Sequence, residues 1–215
     1  MKAYCLTGIG ANEEVFHNLN LEFDYAPIVW SPTSNQESLK DYAKNLCVQV
    51  DTSEKFVLIG VSYGGMLATE MNKFITPEKT ILISSVANRK ELPGILKFLG
   101  KTGIINVIPA FFFTVPPFLL FWLFGVNHEE GKKIIRKIVG GIDKRFTKMS
   151  IKKILNWDNK DIPENIIRIH GDSDRLIPVP KAVDYIKVKN GRHFMIGDRS
   201  VEVSKLLNDE IKKLL

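Results

Sequence analysis

Gly60-Val61-Ser62-Tyr63-Gly64, with Gly65 directly after it, is the stretch on which the reading of this chain turns. Lys55-Phe56-Val57-Leu58-Ile59 precedes it, an apolar run that reads as a buried strand. Met66-Leu67-Ala68-Thr69-Glu70-Met71 follows and reads as a helix. Gly-x-Ser-x-Gly between a strand and a helix predicts a nucleophile elbow, a strained turn that lifts the Ser62 hydroxyl out of the sheet. Glycines two residues before and after the serine suit such a turn, because neighbouring backbone crowds any side chain there. The turn also aims the first amides of the helix at the site, where they favour developing negative charge. The plainer alternative is a glycine-rich turn whose serine caps a helix.

A serine hydroxyl is a poor nucleophile at neutral pH. It needs a histidine base, and the histidine needs a carboxylate to fix its tautomer and stabilise its cation. The elbow therefore demands an acid and then a histidine later in the chain. Asn165-Ile166-Ile167-Arg168-Ile169 reads as a short strand and runs into His170-Gly171-Asp172-Ser173-Asp174-Arg175-Leu176-Ile177-Pro178. Tyr185-Ile186-Lys187-Val188 reads as another strand, followed by Asn190-Gly191-Arg192-His193-Phe194.

These segments together resemble the α/β-hydrolase superfamily. His-Gly-x-x-Asp-x-x-x-Pro is similar to that family's acid loop, which implies Asp174 as the triad acid, with Asp172 as its rival. Gly-x-His-Phe is similar to its histidine loop, which implies His193 as the base. Thr7-Gly8-Ile9-Gly10-Ala11-Asn12 resembles its His-Gly-x-Gly oxyanion loop, so the backbone amides of Ile9 and Tyr63 would form the oxyanion hole. The resemblance covers residues 2–87 and 155–214. Three features depart from the family pattern. Thr7 stands in place of a histidine, the family's first two strands are expected to be missing, and His193 follows Asp174 at a spacing of only 19 positions. Pro178 and Pro180 oppose a helix in that short gap, so a loop is expected there. Of the other histidines, His170 is expected to order the acid loop by hydrogen bonding. His17 is expected to be a surface or packing residue, and His128 part of a solvated helix start beside Glu129 and Glu130.

A chain of 215 residues with 45% hydrophobic side chains accommodates one domain with an insertion and a sizeable core. Strands are expected near 2–7, 26–30, 55–60, 79–84, 165–170 and 184–189, and helices near 12–18, 36–49, 63–75 and 200–214, the last capped by Ser200. That alternation predicts an α/β three-layer sandwich with a mostly parallel sheet of about six strands, and the resemblance implies a shortened α/β-hydrolase fold. Right-handed crossovers would bring Ser62, Asp174 and His193 to the carboxyl edge of that sheet. Cys5 and Cys47 are too few for a disulfide framework. They suggest small apolar packing residues in a reducing compartment. With no signal-peptide pattern before the first strand, a cytoplasmic location is expected.

Residues 88–154 differ from the core at 1–87 and 155–215, and stand where α/β-hydrolases carry a lid. The 26 residues 102–127 contain no Asp, Glu, Lys or Arg. A single membrane span here would place Ser62 on one side of the bilayer and Asp174 and His193 on the other. Two spans need about 40 residues, and Pro109, Pro116 and Pro117 break the run. Short helices roofing the cleft are expected, with part of Ile104–Phe124 forming the wall of a pocket that reaches Ser62. Residues 89–153 also carry 13 basic and four acidic side chains, a net +9 against +6 for the whole chain, so the remainder is −3.

Three readings of that charge stay open: a solvated helix face, contact with an anionic membrane, or attraction of an acidic substrate. With the apolar residues forming the pocket wall, the basic residues are expected to lie outward, away from the pocket. Nucleic acid is not an expected partner, because the basic residues surround an aliphatic wall and no recognition motif is present. The resemblance implies a carboxylesterase or thioesterase acting on a small-molecule apolar acyl substrate, with no metal or cofactor. Other triad chemistries on the same fold, or a low-turnover ligand-binding protein, are the rival readings. Nothing in the sequence sets the oligomeric state.

Overall fold

The structure, a computed structural model, describes residues 1–34, 36–109, 117–141, 143–180 and 183–214. In chain order its elements are β1 (Lys2–Leu6), α1 (Glu14–His17), β2 (Tyr25–Pro27), α2 (Leu39–Leu46), β3 (Phe56–Val61), α3 (Tyr63–Met71) and β4 (Lys79–Ile83). There follow α4 (Gly94–Thr102), α5 (Pro117–Phe124), α6 (Glu129–Gly141), α7 (Lys144–Leu155), β5 (Ile166–Gly171), β6 (Ile186–Val188), α8 (Met195–Asp198) and α9 (Ser200–Lys212). Six strands form one sheet in the order β2-β1-β3-β4-β5-β6, and every pairing is parallel. The expected fold class is the observed one.

Side chains alternate across each strand, so each strand feeds two cores. Tyr4, Leu6 and Leu58 pack on one face with α2 and α3, through Tyr42, Leu46, Met66 and Leu67. Ala3, Cys5, Val57, Ile59, Ile81 and Ile169 pack on the other with Phe16 of α1 and with Val203, Leu207 and Ile211 of α9. Sheet and helices thus make three layers. Both faces being covered explains why β3 is buried at all six positions and reads as an unbroken apolar run.

The chain runs from β1 out to β2 at the sheet edge, then crosses back to β3 on the opposite side of β1. This reversal opens a crevice at the carboxyl ends of β1 and β3, the place where open parallel sheets bind ligands. The loop after β1 and the turn after β3 both lie there, because Leu6 is in register with Gly60.

Helix boundaries follow local capping. Ser38 and Asp41 form a reciprocal capping box, so α2 starts at Leu39 rather than at 36. Ser200 does not cap α9. It is the first helical residue, Arg199 precedes it with no side-chain cap, and the short α8, absent from the sequence reading, runs directly into this turn. Among the described residues no helix lies between Asp174 and His193.

The stretch between β4 and β5 is helical, with α5 packed on α6 and α4 on α7. It is tied to the rest of the chain at several points. Phe194 sits in a small apolar cluster with Val126 and Ile135. The Arg192 guanidinium donates to Gly125 O at 2.8 Å, and the Phe194 amide to Phe124 O at 3.3 Å. Lys153 of α7 is buried and donates to Ser34 O at 3.0 Å, over the ring of Tyr42.

Candidate active site

Ser62 sits at the end of β3 with φ 53° and ψ −116°, in the left-handed half of backbone space. A side chain avoids this region unless the surroundings hold it there. Its amide donates to Ile83 O at 2.9 Å, and its carbonyl accepts from Ser85 Oγ at 2.6 Å. Glycine at 60 and 64 permits the turn: a Cβ on Gly60 would lie 2.5 Å from Gly64 O, and one on Gly64 would strike the backbone of Leu6 and Thr7. Ser85, which holds the strained carbonyl, was not singled out in the sequence. It is one of two serines after β4, and no motif marks it.

His193 Nε2 lies 3.0 Å from Ser62 Oγ, and His193 Nδ1 lies 2.9 Å from Asp174 Oδ2. The three residues therefore form one continuous hydrogen-bonded chain, assembled from the ends of β3, β5 and β6. Asp174 is fully engaged. Its Oδ1 accepts the amides of Leu176 and Ile177, both at 2.9 Å, and its Oδ2 also faces His170 Nε2 at 3.3 Å. Burial works to raise the pKa of this carboxyl. Hydrogen bonds from His170 and His193, the charge of His193 and the Ile177 amide outweigh it and hold the group well below the usual carboxylate range.

His170 is buried and reaches Ile177 O at 2.8 Å, bracing the acid loop. Asp172 accepts from the Asn190 amide at 2.8 Å and sits 3.7 Å from Lys187 Nζ, so it braces the turn that leads to His193. His17 ends α1 exposed. His128 Nδ1 accepts from the Gly131 amide at 3.0 Å at the start of α6, and its Nε2 lies 2.8 Å from Asp198.

The loop after β1 packs against Ser62: a Cβ on Gly8 would lie 3.5 Å from Ser62 Cβ. Thr7, which stands where a histidine was expected, donates its hydroxyl to Ala11 O at 2.9 Å and closes this loop on itself. The amides of Ile9 and Tyr63 donate to no acceptor among the described residues. Tyr63 N is the first amide of α3, where the helix end favours negative charge.

Ser62 and His193 open into a cavity of about 330 Å³ with an almost wholly apolar lining. Ile9 and Met66 line it from the sheet side, Leu96 from α4, Leu120, Leu123 and Phe124 from α5, and Ile151 and Ile154 from α7. Phe124 meets the His193 ring edge-on at 5.1 Å between centroids. Of the apolar run at Ile104–Phe124, then, the α5 part forms cavity wall. Phe111, Phe112, Phe113 and Val115 lie outside the described residues. The expectation that every basic residue lies outward fails twice. Lys144 lines the cavity because it begins α7 on the stripe that faces it. Lys153 is buried because its ammonium finds Ser34 O and, at 3.8 Å, Glu37. Among the described residues no group of three or more His, Cys, Asp or Glu could hold a metal ion, and no helix is long and apolar enough to cross a membrane.

No protein-family model matches the chain, and no curated protein matches it. Its likeness to solved structures is extensive. A thermophilic esterase from Thermogutta terrifontis superposes with a TM-score of 0.71 at 14% identity, covering 99% of this chain and 90% of that one. An esterase from Exiguobacterium antarcticum gives 0.68 at 16% identity, over 99% and 92%. A bromoperoxidase from Bacillus anthracis gives 0.65 at 15% identity, over 98% and 92%. The chain has the α/β-hydrolase fold.

Proposed function

We propose that this chain is a serine hydrolase that cleaves carboxylic esters or thioesters of an apolar acyl group. The observation that carries the reading is the unbroken Ser62–His193–Asp174 hydrogen-bond chain opening into an apolar cavity. Ser62 Oγ attacks the acyl carbon while His193 Nε2 takes its proton. Asp174 holds the Nδ1–H tautomer and stabilises the imidazolium. The carbonyl oxygen, now an anion, lies against the amides of Tyr63 and Ile9. His193 returns its proton to the leaving alcohol or thiol, and the acyl group remains on Ser62. A water then gives a proton to Nε2 and attacks the acyl carbon; as the bond from the acyl carbon to Oγ breaks, His193 passes that proton to Ser62 Oγ, releasing the acid and restoring Ser62.

In this reading the helical stretch at 88–154 is the lid, and its α5 and α7 provide the acyl wall. Ser62→Ala should abolish both fluorophosphonate labelling and p-nitrophenyl ester turnover with the fold intact. Labelling that persists in this variant would move the nucleophile elsewhere. Esterase names among the structural neighbours fit the reading. The bromoperoxidase among them fits the same fold with another chemistry, so the ester series is to be run beside a peroxidase assay.

A second observation bears on where the enzyme works. Phe118 and Trp122 of α5 are 73% and 57% exposed, Ile95 and Phe98 of α4 are exposed too, and Arg175 covers the Trp122 ring at 5.0 Å. Aromatic and basic side chains together suit the interface of an anionic membrane. Peripheral contact through the lid is therefore part of this reading. Binding to anionic liposomes that weakens steeply with salt supports it, and no binding at low salt removes it.

A further inference from the structure

The end of β4 holds Ser62 from both sides. The Ser62 amide donates to Ile83 O at 2.9 Å, and the Ser85 hydroxyl donates to the Ser62 carbonyl at 2.6 Å. Between those two residues Ser84 is buried with φ 48°, a left-handed conformation that a side chain avoids unless its surroundings impose it. Gly65 leaves the space that Ser85 fills: a Cβ there would lie 2.4 Å from Ser85 Oγ and 2.6 Å from Ser85 Cβ. The third glycine of the elbow and the strained turn after β4 thus make room for one contact.

The Ser62 carbonyl also accepts the amides of Gly65 and Met66, at 3.0 and 3.4 Å, as α3 begins. Ser85 adds the shortest of the three bonds, and it comes from a different strand. This carbonyl belongs to the peptide that joins Ser62 to Tyr63. The peptide is trans and planar, so its C=O and N–H point in opposite directions. Whatever fixes the direction of Ser62 O therefore fixes the direction of Tyr63 N–H. A hydrogen bond to the carbonyl also polarises the peptide and strengthens its N–H as a donor. Tyr63 N–H donates to no acceptor among the described residues, and Ser85 is 1% exposed and absent from the cavity lining.

We propose that Ser85 is a positioning residue for the oxyanion. It touches no substrate atom. Its hydroxyl pins the peptide between Ser62 and Tyr63, and so aims the Tyr63 amide at the oxygen on which negative charge develops. The contribution appears in the transition state rather than in substrate binding, because the amide is needed most where that charge is greatest. The inference rests on the hydrolase reading, with Ser62 as nucleophile and the Tyr63 amide as oxyanion donor.

The test compares p-nitrophenyl octanoate with p-nitrophenyl thionooctanoate, in which sulfur replaces the carbonyl oxygen. Sulfur is a weak acceptor, so the thiono ester draws little from the oxyanion donors even in the natural chain. Losing an oxyanion donor outright costs about 10²–10³ in kcat. Ser85→Ala keeps the donor but frees its peptide, so kcat on the oxo ester should fall about tenfold or more, with KM within about twofold. On the thiono ester kcat should fall by less than about threefold. A merely structural role would displace Ser62 itself and slow both esters alike. Ser85→Cys keeps a weaker donor; its oxo-ester kcat should lie between those of Ser85→Ala and the natural chain, and it serves if Ser85→Ala folds poorly. Equal losses on the two esters would overturn the proposal, as would no loss on either. Those outcomes leave the hydrolase reading standing, since the natural chain still turns over the oxo ester. Failure of the natural chain to hydrolyse either ester would overturn both.

Discussion

Replacing Asp174 with asparagine probes the site where its hydrogen bonding is most constrained. Oδ1 accepts two backbone amides, Leu176 and Ile177, each at 2.9 Å. In Asp174→Asn the carboxamide oxygen must keep that place, because an NH2 there would set donor against donor twice. The NH2 then replaces Oδ2, which lies 2.9 Å from His193 Nδ1. Imidazole can meet a donor only with Nδ1 as acceptor, which moves its proton to Nε2, the nitrogen 3.0 Å from Ser62 Oγ. Nε2 can then no longer receive the serine proton. A tautomer inverted in this way costs about 10⁴-fold in kcat, or roughly 5.5 kcal/mol at 1.36 kcal/mol per decade. KM should move little, since Asp174 stands behind His193 and the cavity is lined by other residues. The assay is kcat and KM on p-nitrophenyl octanoate, with the fluorophosphonate labelling rate measured in parallel and circular dichroism to confirm folding. A fall in kcat of less than about tenfold would refute the assignment of Asp174 as the acid that orients His193.

Three further outcomes are expected. Asp172→Asn should leave kcat within a few-fold and lower stability by about 1 kcal/mol through the weakened bond to the Asn190 amide, read from urea midpoints; a loss of kcat as large as that of Asp174→Asn would move the acid to Asp172. Octanoyl esters should exceed butanoyl esters in kcat/KM, with an upper limit of about 3 kcal/mol, or roughly 200-fold, for four methylenes buried at about 0.8 kcal/mol each; a flat chain-length series would show that the cavity does not hold the acyl chain. Asp174 has its pKa lowered on folding, so the stability it contributes is fully present above the unfolded carboxylate value near pH 4 and is lost as the pH falls through the folded one; urea midpoints from pH 6 down to pH 3 should therefore decline less steeply in Asp174→Asn than in the natural chain.

The elbow was legible in the sequence because its requirements are local. Backbone within a few residues crowds Gly60, and an apolar strand and a helix flank the turn, so about a dozen consecutive residues carry the pattern; that Leu6 and Thr7 crowd Gly64 is a tertiary contact. The parallel sheet was legible for a similar reason. Strands buried on both faces must be apolar throughout, and their spacing leaves room for crossover helices. Asp174 and His193 were placed by motif and chain order, and the distance between their side chains came only from the packing of β5 against β6.

What the tertiary structure alone decided lies mostly between β4 and β5. α5 is apolar on every side, so no periodicity says which face turns inward. Packing on α6 and on Phe194 turns Leu120, Leu123 and Phe124 to the cavity and leaves Phe118 and Trp122 exposed. α7 lies in the basic stretch, and its packing against α2 and α4 is what draws Lys153 inward and sets Thr147 on the cavity wall. Ser85 and Phe124 reach the site from segments with no motif of their own, because a hydrogen bond to Ser62 O or an edge-on contact with His193 asks only for a hydroxyl or a ring at the right place in space. Sequence determined the elements whose constraints are satisfied within a turn or a strand. Folding determined the faces of helices whose own residues do not distinguish one side from the other.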